Sequence, residues 1–482
     1  MSIHKTAIKG ALWLAVFKLI GQSYQWAITI LIARILLPSD YGLMAMSVII
    51  TGLAVYIADF GLGAAIVQKK DISEKDLSSI FWFALLVSML LSIIAFFMAY
   101  PMAEFFNEPK VIPIIQVLSL SFPLLSITII PMNLLLKELQ FKATGLNRLK
   151  AVVMASSCML IIAMMGGGVW TLVAGFYLIN IFLAIFTFLS KPWRPHMHFS
   201  FHEIKDHLSF GMNVFFGRTF HYIFISSDRF FGGRAWNSQL LGYYDFALDL
   251  AQLPTEKITT LINQVSYPVL SKLQHDNDEF KKFYLNVLKA TAILVLPLFV
   301  GGFLLGGELV KVILNEKWYP IIFVFEWLCL SQIITSLTEI NSWVHYSQNR
   351  PKWTLYFDTS LAILMGGSFY FAVRYGIEGA IVPWFTTYLL LCSIMTIVTL
   401  RKIGIKIRTY IKVLSNPVFA VIIMSASILL FEIIVNMMIE SGDEVNGFLL
   451  IIKIVLGGLV YLSYFLLFDR GIFYKLRELR SS

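Results

Sequence analysis

The chain has 482 residues, of which 58% are hydrophobic and only 14% charged. Soluble domains carry roughly 45–50% apolar and about 25% charged residues, so this composition excludes a soluble enzyme, a nucleic-acid-binding domain and a disordered chain. The formal net charge of +9 fits an anionic substrate, an anionic membrane surface or topology alone.

A helix needs about 20 apolar residues to cross the hydrocarbon layer. Runs of that kind predict spans near 10–35, 42–66, 79–100, 112–135, 150–166, 169–190, 208–231, 241–266, 284–305, 320–345, 354–373, 377–399, 412–437 and 447–468. The basic start, Met1 to Lys9, precedes an apolar run without a small-residue cleavage site, so it reads as a retained first span. Span 1 carries Lys18, with Gln22 and Gln25 on the same helical face. Lys18 lies about 12–15 Å into the span at 1.5 Å per residue, too deep for its stem to reach the surface. Span 2 ends in Asp59-Phe60-Gly61-Leu62-Gly63, where glycines allow close backbone approach.

A basic, His-rich connector (His196, His198, His202, His207) follows span 6. It lacks the H-E-x-x-H spacing of a zinc helix and reads as a solvated linker. Span 7 places Arg218 at the depth of Lys18, with His221 and Tyr222 on its face. Span 8 carries Asp245, Asp249, Gln252, Glu256, Thr259 and Asn263 in steps of 4, 3, 4, 3 and 4, which keeps one helical face. In a membrane that face lines a hydrated cavity or pairs across helices. Span 10 repeats the theme with Gln332, Ser336 and Glu339, followed by Asn341 and His345. The carboxylates are candidates for taking up a proton or sodium ion, and equally for pairing with Arg218 and Arg229. Cys158, Cys329 and Cys392 form neither a disulfide framework nor a metal site. No phosphate-binding loop of the G-x-x-x-x-G-K type is present, and no cofactor is expected.

With the first segment placed inside and the sides alternating, 26 of the 38 Lys and Arg residues fall on inner segments. That bias puts both termini in the cytoplasm. At an offset of 200 residues Lys18 matches Arg218, Arg34 matches Arg234 and Gly42 matches Gly242. This faint repeat predicts two six-span halves in the same orientation. The expected fold is therefore an all-α polytopic membrane protein with about 14 transmembrane helices. Two pseudo-symmetric six-helix lobes span 1–190 and 208–400, a cytoplasmic loop at 191–207 joins them, and 401–482 adds two helices and a basic tail. Two cations at matched depth, one per half, suit a diphosphate. The plainer alternative is that each cation pairs with a carboxylate and only joins helices.

Several stretches carry a family resemblance: Ala33-Arg34-Ile35-Leu36-Leu37-Pro38-Ser39-Asp40-Tyr41-Gly42, Asp59 to Gly63 running on to Gln68, Ser227-Asp228-Arg229-Phe230-Phe231-Gly232, Leu240-Leu241-Gly242-Tyr243-Tyr244 and Tyr267-Pro268-Val269-Leu270-Ser271-Lys272. The chain resembles the polysaccharide-transport family of bacterial flippases, relatives of the multidrug and toxin extrusion transporters and of the lipid II flippase. The resemblance implies alternating access and an undecaprenyl-diphosphate-linked oligosaccharide as substrate. Membrane lipids, a proton or sodium ion, and the polymerase and chain-length proteins of the same pathway are further partners. Lys18 and Arg218 are then the expected diphosphate ligands, and Gln22, Gln25, His221, Tyr222, Gln252 and Asn263 the sugar-facing residues. Asp245, Asp249, Glu256 and Glu339 are the coupling-ion candidates. A small-molecule exporter is the first alternative, and a membrane polymerase or ligase of the same pathway the second. The topology predicts that alkaline phosphatase fused after Lys110 or Arg234 is active, and that fusions after Lys191 or Lys402 are silent; the reverse pattern would overturn the orientation.

Overall fold

The computed structural model describes residues 3–59, 66, 72–348, 350–438 and 447–468. The side chains of 3–9, 11–12, 54–59, 202–218, 256, 260–261, 263–265 and 351 lie outside the described set. Every long element among the described residues is helical. Among the described residues ten helices are long and apolar enough to cross a membrane, and one further bent pair passes the same test.

The bent pair opens the chain. Helix α1 (Ile3–Ile35) gives way to α2 (Pro38–Asp59) through a 119° turn. Pro38 at the first helical position has no N–H to lose and a backbone angle already set for a helix. The Asp40 carboxylate accepts the Leu37 N–H at 2.9 Å and caps the turn. Next, α3 (Glu74–Phe106) starts in a reciprocal Ser73–Asp76 capping box that satisfies two otherwise orphan amides. Helices α4 (Val111–Ser119), α5 (Phe122–Lys137), α6 (Phe141–Met164) and α7 (Val169–Ser190) follow.

The connector after α7 is strapped along the start of α3. Trp193 donates its indole N–H to Glu74 at 2.9 Å, the His196 and Ser200 amides donate to Ser78 and Ser79, and Trp82 donates to the His196 carbonyl. Helix α8 (Phe201–Ala235) then turns into α9 (Ser238–Lys272). The remaining long elements are α10 (Asn277–Ile313), α11 (Ile322–Ser347), α12 (Pro351–Ala372), α13 (Leu389–Ile403), α14 (Ile407–Met438) and α15 (Gly447–Phe468). A π-turn at Trp384–Tyr388 precedes α13. The chain forms two compact units, residues 1–245 and 246–482.

Residues 1–245 contain two helix breaks of matching form. The α1–α2 break at 36–37 recurs as the α8–α9 break at 236–237. Helices α2 and α9 cross there with their backbones in contact. A Cβ on Gly42 would collide with the Ser238 carbonyl, and a Cβ on Gly242 with the Pro38 carbonyl. The contact is reciprocal at the same 200-residue offset, as a local two-fold requires. In lipid, helices gain little by burying apolar surface against each other, so close packing over small residues supplies the association.

In residues 246–482 the two last helices are held by charge as well as packing. Lys453 of α15 is almost fully buried; its ammonium lies 2.5 Å from Glu308 of α10 and 3.6 Å from Glu432 of α14. Along the same three helices, Ala292 and Leu296 of α10 pack with Ala420, Met424 and Ile428 of α14 and with Tyr461 and Phe465 of α15. The outer faces of α14 and α15, including Phe419, Ile422, Leu430, Ile451 and Leu462, are exposed and apolar. Faces of this kind suit acyl chains.

Two outcomes test this packing. Gly42→Ala and Gly242→Ala each destabilise the crossing by about 1–3 kcal/mol, as overpacking does. Their double variant costs less than the sum because one displacement relieves both clashes; thermal melting in detergent measures this. Lys453→Ala leaves two carboxylates without their cation and costs about 3–5 kcal/mol, whereas Lys453→Met with Glu308→Gln recovers most of the loss, by the same melting measurement.

Candidate functional site

The polar flank of α1 is the first element of the candidate site. α1 packs on α6 through small residues and fitted side chains. Gly10 faces Phe141, Gly145 faces Leu14 and Phe17, and Gly21 faces Leu149. Higher on the same seam the Tyr24 hydroxyl and Ser157 hydroxyl bond at 2.8 Å. The opposite side of α1, with Val16, Leu19, Ile20 and Leu31, is exposed. At about 100° per residue, Lys18, Gln22 and Gln25 share a third flank, roughly 60–120° round from the α6 seam. All three are half-buried. Lys18 lies near the middle of the 33-residue helix, about 20–25 Å from either end at 1.5 Å per residue.

The turn joining α8 to α9 holds the second polar group. Asp228 is fully buried; it accepts the Tyr244 hydroxyl at 2.9 Å and the Arg229 amide at 2.7 Å. The Arg229 guanidinium pairs with Asp245. Asp245, one of the carboxylates of the α9 stripe, therefore serves here as an ion-pair partner. The sequence reading offered the stripe carboxylates as possible partners of Arg229, and Asp245 takes that role; Asp228 and Tyr244 are 16 residues apart, as are Arg229 and Asp245. Tyr222 is buried and donates its hydroxyl to the Val48 carbonyl at 2.8 Å, into space left by Gly52. It ties α8 to α2. His221, on the adjoining face, is exposed.

In residues 246–482 the α11 stripe is spent largely on neighbouring helices. Thr255 of α9 donates to Gln332 at 3.1 Å and lies 3.4 Å from Ser336. The Tyr284 hydroxyl of α10 donates to Asn341 at 2.9 Å, and the Asn341 amide donates to Thr396 of α13 at 2.9 Å. His345 meets Thr399 at 2.9 Å. On α9, Asp249 is exposed and Gln252 half-buried; Glu339 of α11 is half-buried. The side chains of Arg218, Glu256 and Asn263, and the Asp59–Gly63 motif, lie outside the described residues. Among the described residues no three His, Cys, Asp or Glu side chains are placed to hold a metal ion.

Residues 31–323 match the family described as polysaccharide biosynthesis protein. The chain is 27% identical over 347 residues to the lipopolysaccharide biosynthesis protein WzxC of Escherichia coli, covering 70% of this chain and 69% of that one. It is 23% identical over 380 residues to the teichuronic acid biosynthesis protein TuaB of Bacillus subtilis, covering 78% of each. Among solved structures, lipid II flippase MurJ in an inward closed conformation shares the fold with a TM-score of 0.75 at 15% identity, over 96% of this chain and 100% of that one. A multidrug resistance MATE family transporter follows at 0.62 and 13% identity, over 81% and 98%. At those identities the two structures establish the fold alone, and the family rests on the sequence match. With a multi-helix membrane fold and a match running from the end of α1 to the start of α11, the chain belongs to the polysaccharide biosynthesis protein family.

Proposed function

We propose that the protein moves a polyprenyl-diphosphate-linked oligosaccharide unit across the bacterial cytoplasmic membrane by alternating access, with both termini in the cytoplasm. The observation that carries this reading is a half-buried lysine near the middle of α1, followed by two half-buried glutamines on the same flank, in a chain of this family. A charge at that depth is costly unless something anionic or polar offsets it. A diphosphate supplies two to three negative charges and many acceptors for an ammonium. Arg218, at the 200-residue repeat position, completes the anion site from the second lobe, the lobes being 1–190 and 208–400.

Gln22, Gln25, His221, Gln252 and Asn263 offer the amide and imidazole groups that hydroxyl-rich sugars need, while Tyr222 positions α8 against α2. Asp249, Glu256 and Glu339 are the carboxylates proposed to take up a coupling proton or sodium ion; Asp245 joins them only when its bond to Arg229 opens. The α2–α9 crossing over Gly42 and Gly242 is the contact that parts when the transporter opens on that side. Movement without covalent chemistry assigns the protein a transport role rather than an enzymatic one.

The fold is also that of multidrug transporters, which favours a small-molecule exporter as the second reading. An ammonium on the inner flank argues against cationic drugs, because like charges repel in a medium of low dielectric. In cells lacking their own flippase and complemented with this chain, Lys18→Ala and Arg218→Ala each abolish surface glycan and accumulate its lipid-linked precursor at unchanged protein level. Lys18→Arg retains export. Full export by the double Ala variant would overturn the assignment.

A further inference from the structure

One end of the α11–α12–α13 group gathers positive charge that, among the described residues, has no carboxylate paired with it. Lys402, in the last turn of α13, sits over the face of Trp353, its ammonium 3.1 Å from the ring centroid. His345, near the end of α11, stacks on the same indole with ring centroids 6.4 Å apart. Arg350 immediately precedes α12, donates its amide to the His345 carbonyl at 2.9 Å, and adds its like charge to that of Lys402. Lys352 and Arg401 flank the cluster on exposed positions. Among the described residues none of these four cations forms an ion pair.

The setting is that of a headgroup layer. Trp353 and Tyr356 of α12 and Tyr346 of α11 are 42%, 61% and 40% exposed, an aromatic grouping of the kind that sits where acyl chains meet water. The amides of the first turn of α12 point out of this end and add a partial positive charge. His345 Nδ1 is buried without a hydrogen-bond partner, while its Nε2 meets the Thr399 hydroxyl. Like charges held together around one ring are costly to leave uncompensated, and an anion relieves that cost. The exposed part of Trp353, which is 42% accessible, supplies apolar surface for the glycerol or prenyl carbons next to the charge.

We propose that Lys402, Arg350 and Trp353 form a binding site for the phosphate group of an anionic membrane lipid. The site is separate from Lys18 and stands whether or not the flippase reading holds. Two lipid classes share the required chemistry: a phospholipid such as phosphatidylglycerol, and a polyprenyl phosphate.

Native mass spectrometry of the full chain in detergent tests this, with phosphatidylglycerol, undecaprenyl phosphate or phosphatidylcholine added at equal concentration. The wild type retains at least one of the two anionic lipids over phosphatidylcholine. Lys402→Gln and Arg350→Gln each weaken that binding about fivefold, the usual contribution of one basic residue near an anionic surface. Lys402→Arg keeps it, and so does Arg374→Gln, which removes a cation stacked on Tyr370 and Phe371 at the other end of α12. Retention of phosphatidylglycerol alone assigns the site to the phospholipid, of undecaprenyl phosphate alone to the carrier, and of both to the phosphate itself. Arg350→Gln, at an exposed position, provides the answer if Lys402→Gln fails to fold. Equal binding of phosphatidylcholine, or no loss in either Gln variant, would overturn the proposal.

Discussion

Hydrocarbon offers no hydrogen bonds, and nearly every feature of this molecule follows from that constraint. The backbone is satisfied by helices throughout the described residues. Hydroxyls within the helices turn back on the carbonyl one turn earlier, as Ser47 does to Leu43, Thr51 to Ser47, Thr259 to Thr255 and Thr399 to Met395. Larger polar side chains find partners across helices, such as Asn341 between Tyr284 and Thr396. Charges are placed under the same rule. Arg229 has Asp245, and Lys453 has Glu308. Lys18 lies half-buried on one flank of α1 with Gln22 and Gln25, the flank proposed to meet the substrate.

The same solvent explains why glycine matters at the α2–α9 crossing. Water would reward burying large side chains at such a seam, but lipid does not, so close backbone contact takes over. Gly42 and Gly242 allow each helix to lie against the other's carbonyl, and the reciprocity of the two contacts is local evidence that the halves descend from one pattern. The two glycines let the helix backbones lie directly against each other at this crossing.

Much of this was legible in the residues. Most expected spans fall on helical elements, because length and apolarity dominate what a bilayer accepts; 112–135 and 377–399 are each broken between shorter helices, and 42–66 runs past Asp59 into residues outside the described set. The repeat was visible as three matched pairs, and the helical flank of Lys18 follows from 3.6-residue periodicity alone. The polar stripe on α11 was visible too, but its use was not. Gln332, Ser336, Asn341 and His345 read as a candidate lining, and the structure spends them on Thr255, Tyr284, Thr396 and Thr399. Periodicity states which residues share a face and is silent on what that face meets.

Composition and periodicity alone were enough to establish a helical membrane protein and to place Lys18, Gln22 and Gln25 on one flank of its first helix. Each of these depends on one helix and its solvent, so local sequence decides it. Which carboxylate neutralises Arg229, what clasps Lys453, how the connector after α7 is pinned to α3, and which cations collect around Trp353 depend on helix rotation and on residues 16 to 145 positions apart. Those pairings are set by the mutual packing of helices in three dimensions, and only the tertiary structure decides them.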